Sequence, residues 1–202
     1  MRLEAVDLTC VRGGREVFSG LAFSLQAGEA LEVTGRNGAG KSSLLRMVAG
    51  LVRIAGGRMT LVGGNAELTL PEQAHYLGHQ DALKPSLSVL DNLRFWARYL
   101  GADGSRSAEA ALESVGIDSL GGLPAAYLSA GQRRRLSLAR LIAVKRPIWL
   151  LDEPTAGLDR AAQQNLATLM QAHRQSGGLI LAATHGPIGL EHPRELRLGE
   201  VS

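Results

Sequence analysis

The stretch "ALEVTGRNGAGKSSLL" (residues 30–45) joins an apolar run to a glycine-rich turn and then to regularly spaced leucines. The apolar run is typical of a buried strand, and the leucines after Lys41 have helical spacing. Within it, "GRNGAGKS" (residues 35–42) matches the phosphate-loop pattern G-x-x-x-x-G-K-[ST] at every defined position. A glycine-rich helix entry can occur without a ligand, but the strand before it and the helix after it favour binding of a nucleoside triphosphate.

The residue types of this loop suit an anion. Glycines let successive backbone N–H groups point inward, and the following helix adds the positive end of its dipole. Lys41 would reach the β- and γ-phosphates, and the Ser42 hydroxyl could be a ligand of Mg²⁺. The residues expected to hold the nucleotide are Gly35, Arg36, Asn37, Gly38, Ala39, Gly40, Lys41, Ser42 and Ser43.

Two carboxylates follow the apolar run "IWLLDEP" (residues 148–154). A parallel strand here would place Asp152 at the carboxyl edge of the sheet beside the phosphate loop, where it can hold a metal ion or its water. Glu153 would then polarise the attacking water as a general base. Taken alone, Glu153 could equally be a carboxylate at a helix entry before Pro154.

Composition indicates one domain with a sizeable insertion, since the chain has 202 residues and 45% of them are hydrophobic. We expect no membrane span, because the longest apolar runs fall far short of about 20 residues, and we see no secretory pattern. The single cysteine, Cys10, is expected in an edge strand and suggests a reducing compartment. The net charge of +3 is scattered, so we expect a solvated face for Arg133, Arg134 and Arg135 and no nucleic-acid partner.

The pattern of segments predicts the fold class. Short alternating strands fill the first third, helices run from about residue 86 to 129, and helices and strands alternate afterwards. Such alternation predicts a parallel sheet with helices on its faces. The helical middle then becomes a subdomain, at about residues 81–130, inserted into an α/β core.

Four motifs occur in the order and approximate spacing of ATP-binding cassette (ABC) ATPases: "GRNGAGKSS", "LSAGQ", "WLLDEPTAGLD" and "ATH". The chain therefore resembles that family over most of its length. The resemblance implies a P-loop NTPase core with an N-terminal antiparallel β subdomain and the inserted helical subdomain. Residues 1–202 would form a single nucleotide-binding domain that uses ATP and Mg²⁺.

The resemblance also implies roles for residues outside the phosphate loop. Gln80 in "GHQ" would join the core to the helical subdomain and sense Mg²⁺. His185 in "ATH" would contact the γ-phosphate and help hold the attacking water. Asp159 in "GLD" would lie at the contact between two protomers.

The segment "LSAGQRRRLSLARL" (residues 128–141) has two interpretations. On local grounds, Ser129 and Gln132 fit a capping box at an ordinary helix start. The family resemblance implies more: Ser129, Gly131 and Gln132 would face the ATP held by a second copy of the chain. Two copies would form a head-to-tail homodimer around two nucleotides.

A closer resemblance is to the ATP-binding subunit of the haem exporter of c-type cytochrome maturation, the CcmA family. It is carried by "VFSGLAF" (residues 17–23) and "LGHQDALKPSLSVLDNLRFW" (residues 77–96). This implies a peripheral location on the cytoplasmic side of the bacterial inner membrane, bound to integral membrane transporter subunits. The alternatives are the ATPase subunit of another ABC exporter and a soluble cassette ATPase for iron–sulfur assembly.

Two features depart from the family or stay open. Arg12 stands near the position where the family has an aromatic residue that stacks on adenine, and a guanidinium plane can also stack on a base. Phe95, Trp96 and Tyr99 could line a groove for a partner helix. For these three we expect the subdomain core instead, because aromatic residues are few in this chain.

Overall fold

The computed structural model describes residues 1–101 and 108–199. Its eight strands are β1 (Arg2–Arg12), β2 (Arg15–Gln26), β3 (Ala30–Thr34), β4 (Gly56–Val62), β5 (Ala74–Leu77), β6 (Ile148–Asp152), β7 (Leu179–Ala183) and β8 (Arg194–Arg197). Its five α-helices are α1 (Lys41–Val48), α2 (Val89–Tyr99), α3 (Ala108–Ser114), α4 (Ala130–Ala143) and α5 (Arg160–Gln175). The described residues fall into two compact units.

The first unit comprises Met1–Gly78, Arg146–Pro154 and Leu169–Ser202. It contains a three-stranded antiparallel sheet in the order β2-β1-β4 and a five-stranded parallel sheet in the order β5-β6-β7-β3-β8. The central strands β6 and β7 are buried at every residue. Both faces of a parallel sheet are covered, which explains why these strands are continuous apolar runs in the sequence.

Strand register brings three strand ends to one edge of the parallel sheet. Ala183 at the end of β7 pairs with both Val33 of β3 and Asp152 of β6. The segments that follow these strands therefore leave the sheet side by side. They are the phosphate loop, the Glu153 segment and the His185 segment.

Helix α1 is held to this sheet by its apolar face. Leu44, Leu45 and Val48 are fully buried in a core cluster that also contains Leu31 and Leu150 of the sheet. Complete burial of one such side chain contributes about 1.5–3 kcal/mol. Packing therefore fixes the helix, and with it the loop that precedes it.

The second unit comprises His79–Lys145 and Thr155–Thr168. It contains α2, α3, α4 and the first part of α5. Helix α2 begins where the Ser88 side chain accepts a hydrogen bond from the Asp91 backbone N–H at 3.0 Å. None of the helices among residues 1–101 and 108–199 has the length and apolarity needed to cross a membrane.

Most predicted elements are confirmed, and two strands were missed. Strand β8, with the sequence "RELR", is largely charged and exposed, so its pairing with β3 leaves no apolar pattern. Strand β5 has only four residues and follows a turn of 3-10 helix. The predicted helix "SRSAEAALESVG" is found as α3, while residues 105–107 of it lie outside the described residues.

The expectation that Cys10 lies in an edge strand is wrong. Cys10 belongs to β1, the middle strand of the antiparallel sheet, and is fully buried. Met47 and Val52 pack against it in a small apolar cluster. Burial raises the pKa of its thiol, which keeps the group protonated.

A partly buried histidine, His173, joins α5 to the sheet. The ring of His173 stacks on Trp149 of β6 with a centroid distance of 4.0 Å and an interplanar angle of 8°. Its Nε2 lies 3.2 Å from the Pro147 carbonyl oxygen, so this nitrogen donates the hydrogen bond. Burial lowers the pKa of His173 from 6.5 to about 4, although its backbone hydrogen bonds oppose the shift.

We expect this histidine to make folding stability depend on pH. The unfolded chain binds a proton at His173 below its ordinary pKa and the folded chain does not, so stability is lost as pH falls from 6.5 toward 4. Between about pH 7.5 and 5 the loss due to this group is on the order of 2 kcal/mol. The free energy of unfolding is measured by urea denaturation at several pH values, for the wild type and for His173→Phe, which keeps a ring against Trp149. An equal pH dependence in both proteins would contradict this origin.

Candidate functional site

The phosphate loop depends on glycine for its path. Gly35, Gly38 and Gly40 have φ angles of 134°, 83° and 101°, a region that other residues rarely adopt. Gly40 also lies against the antiparallel sheet, where an added Cβ would be 2.7 Å from Val17 Cγ1 and 2.8 Å from Phe18 Cδ1. Its carbonyl accepts the hydrogen bond from Leu44 N–H at 2.8 Å that begins α1. The loop therefore ends directly at a helix N-terminus.

Lys41 holds its charge beside the loop. Its Nζ donates to the carbonyl oxygens of Gly35 at 2.8 Å and Arg36 at 3.3 Å, and the residue is only 8% exposed. An ammonium group has three N–H donors. It can thus keep the loop closed and still offer a donor to an anion.

The Ser42 hydroxyl joins α1 to the end of β6. It donates to Asp152 Oδ1 at 2.9 Å, and Asp152 is 4% exposed. The other carboxylate oxygen, Oδ2, accepts from the Tyr76 hydroxyl at 3.2 Å. Tyr76 in turn accepts from Arg46 Nε at 3.1 Å. Nothing in the motif pattern of the sequence marks Tyr76 or Arg46.

Glu153 has an unusual backbone conformation. Its φ is 47°, which costs on the order of 1–3 kcal/mol for a residue other than glycine. A hydrogen bond from its N–H to the Ala183 carbonyl, 2.9 Å long, holds it there. In this conformation its Oε1 lies 3.6 Å from Nε2 of His185. The structure thus brings together two residues that the sequence separates by a helix and a strand.

These groups surround one cavity of about 400 Å³ in the first unit. Its size falls within the range of about 300–1,000 Å³ common for ligand pockets. Backbone donors, a lysine, a hydroxyl and two carboxylates suit a phosphate chain with a divalent cation. The lining residues are Arg12, Val17, Asn37, Gly38, Gly40, Lys41, Ser42, Ser43, Asp152, Glu153 and His185.

Three expected nucleotide-binding residues are placed differently. Gly35 and Arg36 line a second cavity of about 480 Å³, which shares His185 with the first. Ala39 packs into the apolar core. Arg12 lies on the wall of the first cavity, where its guanidinium is available to stack on a base.

The remaining candidate residues belong to the second unit: Gln80, Ser129, Gly131, Gln132 and Asp159. Gln80 is exposed in a bend between β5 and α2. The capping box is confirmed, because Ser129 Oγ accepts from Gln132 N–H at 3.2 Å and Gln132 Oε1 accepts from Ser129 N–H at 2.8 Å. An added Cβ on Gly131 would lie 3.1 Å from the Gly157 carbonyl oxygen.

Asp159 has a local role that its motif did not reveal. Its Oδ1 accepts from Ala162 N–H at 2.8 Å, which caps the start of α5. Its Oδ2 pairs with Arg135 Nη2 at 2.6 Å. Asp159 therefore ties the start of α5 to α4.

The expected solvated arginine face on α4 is wrong. Arg134 is 4% exposed and its Nη1 lies 3.6 Å from Asp81 Oδ1. Ser137 Oγ donates to the Asp81 carbonyl at 3.0 Å. The residue directly after Gln80 is thus fastened to the helix that starts at Ser129.

Arg140 is a second buried arginine of α4. Its guanidinium lies 4.9 Å from the centre of the Trp96 ring. Burial lowers its pKa to about 10, and the nearby Arg134 charge adds to this effect while Asp81 opposes it. Because that pKa stays far above neutrality, Arg140 remains charged and is stabilised by the ring face.

The aromatic residues of α2 form an exposed cluster. Phe95 is 39% exposed and Tyr99 is 72% exposed, so the expectation that they form the subdomain core is wrong for both. Their rings stack with a centroid distance of 6.3 Å. Trp96 is partly buried and its Nε1 donates to the Ala82 carbonyl at 3.0 Å. We call Phe95, Trp96 and Tyr99 the aromatic patch.

Comparison with known proteins agrees with this geometry. The family model described as "ABC transporter" matches residues 18–156. The protein named "Cytochrome c biogenesis ATP-binding export protein CcmA" of Nitrobacter winogradskyi is 62% identical over 98% of both chains. Proteins of the same name from Bradyrhizobium diazoefficiens and Mesorhizobium japonicum are 60% identical over 100% of both chains and 52% identical over 98% of both.

Solved structures show the same fold. One described as the ATP binding subunit of an ABC transporter has a TM-score of 0.87 at 24% identity, over 98% of this chain and 86% of that one. A bacterial Atm1-family ABC exporter with ATP bound has a TM-score of 0.81 at 22% identity, over 98% of this chain and 37% of that one. The predicted fold class is therefore confirmed.

Proposed function

The chain belongs to the ABC transporter family. From that premise we propose that it is the ATP-binding and ATP-hydrolysing subunit of an exporter for c-type cytochrome biogenesis. The proposed cargo of this exporter is haem. One observation carries the activity: the phosphate loop opens onto the carboxylates of Asp152 and Glu153 in a single cavity. The identity of 62% to a cytochrome c biogenesis export protein, over nearly the full length of both chains, supports the assignment to c-type cytochrome biogenesis.

The ATP phosphates bind backbone donors of the loop between Asn37 and Ser43 and the Lys41 ammonium. Mg²⁺ fits the oxygen donors of Ser42 and Asp152, because it prefers carboxylate and hydroxyl ligands and the carboxylate is buried beside the hydroxyl. When bound, Mg²⁺ supplies charge neutralisation at the phosphates.

Glu153 and His185 act on the attacking water. The water oxygen attacks the γ-phosphorus, Glu153 takes the water proton, and the bond from phosphorus to the β-γ bridging oxygen breaks to leave ADP. His185, 3.6 Å from the Glu153 carboxylate, holds the water and the γ-phosphate. The strained backbone of Glu153 aims the carboxylate in advance, which lowers the cost of reaching the reactive geometry.

The second half of each ATP site comes from another copy of the chain. Ser129 Oγ accepts a hydrogen bond within its own helix cap, so its O–H remains a donor for a phosphate oxygen. The Gly131 N–H and the N-terminus of α4 add a backbone donor and the positive helix end beside it, while the Gln132 N–H serves the Ser129 cap. Two copies would close head to tail around two ATP molecules, with Asp159 near the contact. Hydrolysis removes the shared anion and favours separation.

We propose the aromatic patch as the docking surface for the integral membrane subunits, with the chain on the cytoplasmic side of the inner membrane. Exposed aromatic clusters on a rigid helix are typical of protein interfaces. Nucleic acid is a poorer partner, since Arg134 and Arg135 are paired with Asp81 and Asp159 rather than offered to phosphates.

We expect Glu153→Gln to abolish the function while the protein still binds ATP. Loss of the general base should slow ATP turnover by at least about a hundredfold. In a bacterial strain that lacks the gene for this chain, the variant should fail to restore holo c-type cytochromes, measured by haem staining of membranes. Turnover is measured on the complex purified with its membrane subunits.

The matched control is Glu191→Gln, because Glu191 is an exposed carboxylate whose backbone carbonyl, not its side chain, accepts from Arg174. This control should restore both turnover and cytochromes. Full restoration by Glu153→Gln would overturn the assigned base. Normal cytochrome levels without the gene would instead overturn the proposed pathway.

The split site predicts recovery of activity in mixed dimers. Lys41→Ala removes the phosphate ligand of one chain, and Ser129→Asp places a charge that repels the partner's triphosphate. Aspartate also accepts from the Gln132 N–H, so α4 keeps its cap. Each variant alone should be inactive, whereas co-expressed chains contain one intact composite site and should regain ATP turnover.

The control pairs Lys41→Ala with the double variant Lys41→Ala/Ser129→Asp, a combination that contains no intact composite site. Turnover is measured on complexes that carry a different affinity tag on each chain. Equal activity of the two mixtures would show that each site is complete within one chain and would refute the head-to-tail arrangement.

A further inference from the structure

Tyr76 connects the metal-holding carboxylate to a second point on α1. Its hydroxyl donates to Asp152 Oδ2 at 3.2 Å and accepts from Arg46 Nε at 3.1 Å. Ser42 donates to the other carboxylate oxygen at 2.9 Å. Both Asp152 oxygens therefore have a partner whose position is fixed by a helix or a strand.

These contacts form a closed ring of elements. Ser42 and Arg46 are four residues apart on α1, so they lie on the same face of that helix. Asp152 ends β6, and Tyr76 lies on the neighbouring strand β5, paired with Leu150. The helix after the phosphate loop is thus linked to two adjacent strands through one carboxylate.

The local sequence makes room for the tyrosine. A Cβ on Gly78 would lie 2.9 Å from Tyr76 Cε1 and 3.1 Å from both Cζ and the hydroxyl oxygen. A larger residue at position 78 would displace the hydroxyl from Asp152. The pair of Tyr76 and Gly78 therefore keeps the phenol at its place beneath the site.

We propose that Tyr76 is a positioning residue that holds the Asp152 carboxylate in the orientation needed for the divalent cation. Magnesium demands nearly ideal octahedral geometry, and a carboxylate anchored at one oxygen only can rotate about its Cβ–Cγ bond. Anchoring Oδ2 keeps Oδ1 directed at Ser42 and the cation. The role rests on the proposed Mg²⁺–ATP site and adds to it a residue that no motif contains.

The test uses full-length protein and ADP, which is not hydrolysed. The dissociation constant of ADP is measured with excess Mg²⁺ and again with excess EDTA, and the EDTA value divided by the Mg²⁺ value reports how much the cation contributes. Tyr76→Phe, which keeps the ring and removes the hydroxyl, should reduce this ratio about tenfold, as is typical for residues that orient metal ligands. Its ADP affinity in EDTA should stay within about twofold of the wild type.

Electron paramagnetic resonance of Mn²⁺ bound with ADP gives a second readout, and its spectrum should change in Tyr76→Phe. Arg46→Gln should reduce the ratio in the same direction. The double variant should lose no more than the larger single effect, because both residues act through one hydroxyl. Tyr127→Phe is the control, since this tyrosine is 78% exposed and should leave both readouts unchanged.

An unchanged ratio of the dissociation constant in EDTA to that in Mg²⁺, together with an unchanged Mn²⁺ spectrum in Tyr76→Phe, would overturn the proposal and leave the proposed function intact. An equal loss of ADP affinity with and without Mg²⁺ would also overturn it, because general damage to the nucleotide site would then explain the effect. A wild-type chain that binds no ADP would contradict the proposed function and, with it, this role of Tyr76.

Discussion

The hydrogen bond from Ser42 to Asp152 is the contact on which the site depends. It joins the start of α1 to the end of β6, and the two residues are 110 positions apart in the sequence. Through it, the loop that suits phosphate and the carboxylates that suit a metal ion and a water molecule lie in one cavity. The apolar face of α1 and the fully buried strand β6 provide the rigidity that this contact needs.

Several side chains of the second unit that we propose for the ATP site also stabilise helix ends. Ser129 and Gln132 satisfy the backbone donors at the start of α4, and the serine hydroxyl keeps a proton to donate outward. Asp159 caps α5 and pairs with Arg135. A structural role for these residues therefore does not compete with a functional one, because the hydrogen-bonding capacity of each side chain exceeds what the helix cap uses.

Local patterns in the sequence were sufficient for the phosphate loop, the buried strands and the order of the elements. Glycine spacing, apolar runs and helical periodicity depend only on residues close together in the sequence, so "GRNGAGKS" and "IWLLD" could be interpreted directly. Strand β8 could not be found this way, because its pairing with β3 uses backbone groups and its side chains are mostly charged. The positive φ of Glu153 was equally hidden, since it arises from a hydrogen bond to Ala183.

Contacts between distant residues account for the other differences. Three consecutive arginines resemble a solvated face, yet Arg134 is buried because Asp81 lies opposite it, and Arg140 because Trp96 covers it. Phe95 and Tyr99 have the residue types of a core but lie on the exposed side of α2. Whether such a side chain is buried or exposed depends on which distant residue the fold places next to it, and no local sequence pattern encodes that residue.

The central claim is that an ATP site is completed by a second copy of the chain. The most direct measurement is the molar mass of the full-length Glu153→Gln protein, by light scattering after size exclusion, with and without Mg²⁺–ATP. The account predicts one chain without nucleotide and two chains with it. A protein that binds Mg²⁺–ATP and retains the mass of one chain at high concentration, also in the presence of its membrane subunits, would contradict the account.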